Sequence, residues 1–115
     1  MSIDTTKFTS LDVATGTATS TAGAATVNAQ TGLITTEALT TAGAALYTMT
    51  LTNAAIAAGS IVLATVAKGT ATAGEPVVSW VTPSAGSAII IVKNASASTA
   101  INGTIKIGFK VEQVA

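Results

Sequence analysis

Histidine, cysteine and arginine do not occur in this chain of 115 residues, and only ten side chains carry charge. Each absence closes a class of chemistry. Without histidine or cysteine there is no imidazole base, no thiolate nucleophile and neither of the side chains that build most zinc sites. The same lack of cysteine leaves no disulfide to reinforce a small fold. Without arginine, the commonest bidentate reader of phosphate and guanine is missing. Charged residues are 9% of the chain, against roughly 25% in an ordinary soluble domain. A surface that bare invites association.

The charges that remain cancel. Lys7, Lys68, Lys93, Lys106 and Lys110 are interspersed with Asp4, Asp12, Glu37, Glu75 and Glu112, so no basic stripe follows a nucleic-acid backbone. Glu37, Glu75 and Glu112 each lie beside a turn or the chain end and read as solvated acids, not as a catalytic pair. The ten glycines are dispersed and none opens a phosphate loop. A calcium loop is missing too. No enzymatic activity, cofactor, metal or nucleic-acid partner is expected. The first twenty residues hold no continuous apolar stretch, so no secretory signal is read. The longest run of large apolar residues, Ile89-Ile90-Ile91-Val92, falls far short of the ~20 that span a bilayer. No membrane association is expected, and the chain reads as one assembled in a reducing cytoplasm.

What is there is alanine and threonine, 46 of the 115 residues together, with 10 Ile, 10 Val and 6 Leu. That aliphatic content fills one core and predicts one β-rich domain. A domain of this size buries roughly 60–70% of the surface its unfolded chain exposes, so burial between subunits is the expected reinforcement.

Residues 1–25 differ from the rest. Between Ala14 and Thr26 no side chain is larger than threonine, and such a stretch cannot offset its own ordering entropy. It reads as an extended N-terminal arm anchored by Ile3, Phe8, Leu11 and Val13. Such an arm either reaches a neighbouring subunit or folds back on its own domain. In the first case, deleting residues 2–25 leaves the β-domain folded but weakly attached.

From residue 26 to 115, short apolar runs alternate with turn signals about every 8–12 residues, the pattern of an antiparallel β-sandwich or barrel of about seven or eight short strands. Leu46–Thr52 alternates with period two, setting Tyr47, Met49 and Leu51 against three threonines. Thr104–Glu112 does the same, with Ile105, Ile107, Phe109 and Val111 on one face. Asn102-Gly103 reads as a hairpin turn. Asn53–Gly59 is the only helix-like stretch, and it is equally a loop. The unbroken run Ile89–Val92 predicts a strand covered on both faces, with Ile90 at an interface. Trp80, the only tryptophan, reads as a packing anchor or inter-subunit contact ahead of a sugar-stacking platform.

Four pieces of the chain carry a family resemblance. They are Gly32-Leu33-Ile34-Thr35-Thr36-Glu37-Ala38-Leu39-Thr40-Thr41, Tyr47-Thr48-Met49-Thr50-Leu51-Thr52-Asn53, Val81-Thr82-Pro83-Ser84-Ala85-Gly86-Ser87 and Asn102-Gly103-Thr104-Ile105-Lys106-Ile107. The segment Thr31–Val111 resembles a small β-protein encoded by tailed bacteriophages. The resemblance implies a capsid decoration (cement) protein on the virion surface, a homotrimer whose arm clamps neighbouring subunits of the major capsid protein. It implies no catalytic residue. The other reading is a head-fibre or tail-fibre module that recognises a host surface glycan.

Overall fold

The computed structural model describes residues 15–112, and these form eight strands with no helix among them. In chain order they are β1 (Thr15–Thr19), β2 (Ala24–Thr26), β3 (Thr31–Thr35), β4 (Leu46–Thr52), β5 (Ile61–Lys68), β6 (Pro76–Ser84), β7 (Ser87–Asn94) and β8 (Ile105–Glu112). Two four-stranded sheets face each other, ordered β1-β3-β8-β5 and β2-β4-β7-β6. They are called here the β8 sheet and the β7 sheet, after a central strand of each.

The period-two segments occupy the centres. Ile105, Ile107, Phe109 and Val111 of β8 point inward and are buried, as are Met49 and Leu51 of β4, while Thr48, Thr50 and Thr52 face outward. Ile34, Ile90 and Val92 complete the middle of the core. The sheets are mixed, not purely antiparallel. β1 pairs parallel with β3, and β2 pairs parallel with β4.

Those parallel pairs decide the reading of the N-terminal stretch. Residues 15–25 follow the second of the two expected courses, folding back as edge strands of their own sandwich, and a boundary at residue 25 falls inside β2. Only six of the eight strands therefore lie after Val27. Residues 1–14, with Ile3, Phe8, Leu11 and Val13, lie outside the described residues. The chain leaves the β8 sheet at Ser20, turns, and enters the β7 sheet at Ala24, so one kinked segment edges both sheets. In the turn, Ala22 and Gly23 have φ of 51° and 78°. A side chain at Gly23 would be strained there and would also meet the Thr48 carbonyl at 2.7 Å.

Small residues let this segment pack closely: a Cβ on Gly16 would lie 2.7 Å from the Val27 side chain. Gly16 stands beside Gly32, and Gly32 beside Phe109. A Cβ on Gly32 would lie 2.7 Å from the Phe109 ring. Main-chain pairing does the rest.

One other expectation is corrected. Asn102-Gly103 is not a hairpin: β7 and β8 lie in different sheets, and the segment between them crosses the sandwich. Asn53–Gly59 forms turns only. Pro83 lies within β6 and does not end it, as an edge strand permits.

Asparagine side chains close the loops. Asn94 is fully buried. Its amide donates to the Thr41, Ala42 and Thr99 carbonyls at 3.1, 3.2 and 2.8 Å, and its oxygen accepts from the Glu75 and Ser96 N–H at 3.0 and 3.1 Å. Asn53, also buried, exchanges hydrogen bonds with both backbone groups of Ala29. Asn102 accepts from Thr72 and Ala73 N–H, and Asn28 from Ala54 N–H.

Two outcomes follow for stability. Asn94→Ala strands several buried backbone groups and should lower the unfolding free energy in urea by about 2–4 kcal/mol. Deleting residues 2–25 removes β1 and most of β2 and leaves the edges of β3 and β4 unpaired. The truncated chain is expected to unfold at lower urea than the full chain, not to persist as an intact domain.

Candidate functional site

Two kinds of feature stand out once the sandwich is assembled: a polar clasp at the kink between β1 and β2, and apolar residues on the outer faces of the sheets.

The clasp is built on Glu37, which follows β3. Its carboxylate accepts hydrogen bonds from Ser20 Oγ, from Tyr47 OH at 3.0 Å and from Gly23 N–H at 2.9 Å. Its own N–H donates to Ser20 Oγ at 3.2 Å. Ser20 and Gly23 bracket the kink, and Tyr47 belongs to β4, so one carboxylate ties both N-terminal strands to both sheets. Partial burial works to raise the Glu37 pKa, but the hydrogen bonds from Ser20, Tyr47 and Gly23 outweigh it and hold the group below its ordinary value. Tyr47 is pushed up to about 12, first by burial and then by the charge of Glu37. Ser20 thus meets a weak base and a phenol that stays protonated. That is a structural arrangement, not an activated nucleophile. Reading Glu37 as simply solvated missed it, since its partners lie 10 to 17 residues away in sequence.

No group of three or more His, Cys, Asp or Glu gathers to hold a metal among the described residues. An open depression over Gly108, lined by Leu63, Ala64, Thr65, Phe109 and Lys110, offers no cluster of convergent polar groups.

The apolar exposure is on the strands themselves. Across the outer face of the β7 sheet, Leu46, Lys93 and Val77 stand in one row. Thr48, Ile91 and Trp80 form the next, and Thr50, Ile89 and Thr82 the third. Leu46, Val77, Trp80 and Ile89 are all exposed, and Lys93 is the only charged residue of the four strands. On the β8 sheet, Leu33, Ile61 and Leu63 are exposed beside Lys106, Lys110 and Glu112. Lys110 and Glu112 pair at 3.0 Å, an exposed contact of little energetic weight.

These placements sort the residues singled out from sequence. Ile90 is fully buried in the core of its own chain and is presented to no partner. The run around it is covered unevenly: outward-facing Ile91 is buried, but Ile89 is 41% exposed. Trp80 is not a core anchor, being 52% exposed on the β7 sheet beside a β-bulge. Leu46, Ile61, Leu63 and Val77 were not singled out. The alternation of β4 already sets Leu46 on the threonine side, whereas the run Ile61–Val66 has no period that reveals which residues face out.

No known protein family matches the chain, and no curated protein of similar sequence or solved structure of similar fold was found.

The clasp gives a pH dependence with a definite sign. Because Glu37 is depressed below 4.5 in the fold, its stabilisation is fully present above that pH and is lost as pH falls through the depressed value. Glu37→Gln should cost about 1–2 kcal/mol at pH 7, less than a buried charge-assisted bond because the carboxylate is in part solvated. It should also flatten the acid limb of stability against pH, read from urea midpoints between pH 7 and 3.

Proposed function

We propose that the chain is a structural virion protein that decorates and stabilises a bacteriophage capsid. In this reading it bridges neighbouring subunits of the major capsid protein on the particle surface, as the resemblance of Thr31–Val111 implies. The observation that carries the reading is the outer face of the β7 sheet, where Leu46, Val77, Trp80 and Ile89 are exposed around a single lysine. Contiguous aliphatic and aromatic surface of that kind marks protein contact. The chain is no enzyme in this account: Glu37 and Ser20 are engaged in holding the fold, and among the described residues no other acid shares their site.

The glycan-binding alternative has one observation on its side, the exposed ring of Trp80. Its register neighbours are Ile91 and, one strand further, Thr48. These are not the carboxylates and amides that anchor sugar hydroxyls.

Particles purified from cells that make the chain should contain it in a fixed whole-number ratio to the major capsid protein, and Trp80→Lys should reduce that ratio without altering the circular dichroism spectrum. Absence from particles, or a copy number far below that of the capsid protein, overturns the reading.

A further inference from the structure

Among the described residues, β5 and β6 together form one side of the sandwich. Each is the edge strand of its sheet, and they lie against one another across the sandwich. Their inward-facing residues Ala64, Val66, Val78 and Val81 pack on the core but are only partly buried, so the core opens to solvent between them. Ile61, Leu63, Val77 and Trp80 add exposed apolar surface along both lips, Leu63 at 54%. Seventeen consecutive-strand positions, eight in β5 and nine in β6, carry one charge, Lys68 at the end of β5.

The two edges are not equally protected. β6 has Pro76 and Pro83 and a bulge between Val78 and Trp80, devices that blunt an edge against pairing. On the opposite side β1 and β2 are five and three residues long. β5 has none of these protections. It runs eight residues in unbroken register with β8, without proline, bulge or internal charge. An edge of that kind is a template for another strand.

We propose that the β5–β6 side is an interface with a second copy of this chain, in which the two β5 strands pair antiparallel across a two-fold axis beside Ala64. Side chains opposite one another in an antiparallel pair share a face, so only residues of like parity meet. Centring on Ala64 sets Val62 opposite Val66, Leu63 opposite Thr65 and Ile61 opposite Ala67. The β8 sheet then continues from one copy into the next, and the half-open residues between β5 and β6 are covered.

Charge and area agree with this occupant. Because β5 runs antiparallel to β8, Ile61 lies beside Glu112, while Lys68 lies at the other end beside Ile105. The two-fold therefore brings the Lys68 end of one copy to the Glu112 end of the other. Eight residues of strand are about 26 Å long, and two sheets about 10 Å apart with their flanks are about 20 Å wide. The side thus offers about 500 Å² per copy and about 1,000 Å² in all, the lower bound for specific association. The pair stands independently of the capsid reading, and it is two-fold where the resemblance implies a trimer.

Sedimentation of the purified chain without particles tests it. The wild type is expected to be a dimer at tens of micromolar. Leu63→Lys places a new cation of each copy close to the axis and should raise the dissociation constant about a hundredfold or more, with an unchanged circular dichroism spectrum. Leu46→Lys, on the outer face of β4, should leave the dimer intact. Because the chain has no cysteine, Ala64→Cys supplies a single thiol that should cross-link two copies under mild oxidation. A monomeric wild type, a trimer indifferent to Leu63→Lys, or a dimer that Ala64→Cys does not cross-link overturns the proposal.

Discussion

The sandwich is tied together at its loops by side-chain-to-backbone hydrogen bonds. The long connections bury few bulky residues, Leu39, Ile56 and Ile101 among them, and hydrogen bonds from side chains fix the backbone around these. Asn94 joins the segments around Thr41, Glu75, Ser96 and Thr99, and Asn53 locks the chain at Ala29. Glu37 does the same at the kink between β1 and β2. Among the described residues, every buried side-chain polar atom has a partner. In a low-dielectric interior an unmatched group would cost more than a neutral bond returns. The small number of polar residues committed to the interior is therefore a consequence of how completely each is used.

Where burial alternates, the sequence is readable. The faces of β4 and β8 follow directly from period two, because one side of each strand meets the core and the other meets water. β1 and β2 were unreadable for a physical reason: their ordering depends on Val27 packing at Gly16, and on parallel pairing that local pattern does not encode. The stretch looked disordered because its own side chains are small, and at Gly16 that smallness is what admits the Val27 side chain. Asn102-Gly103 misled in the opposite way. The dipeptide favours a tight turn, but here the Asn102 amide is engaged by Thr72 and Ala73, and Gly103 bridges to Leu39.

The candidate site was legible only in its character. A chain with 9% charge predicts contact surfaces, but not which ones. Ile90, chosen from a continuous run, belongs to the interior, while Ile89 beside it is the exposed member. The displacement at Trp80 depends on a bulge, which no spacing rule reveals. Glu37 escaped notice because a lone acid beside a turn is ordinarily solvated. Only the fold brings Ser20 and Tyr47 to it.

The position of β8 has a consequence for synthesis. The last described strand lies inside its sheet, between β3 and β5. Neither neighbour can pair with the other without it, and β1 in turn depends on β3. β1, β3 and β5 are thus made before β8, yet their sheet is not complete until β8 enters it, whereas all four strands of the β7 sheet precede β8. Closure of such long-range pairings is slow relative to local structure. An interrupted translation product ending before Ile105 would carry one sheet with its inner face bare. Synthesis of β8 is therefore the step on which closure of the sandwich depends.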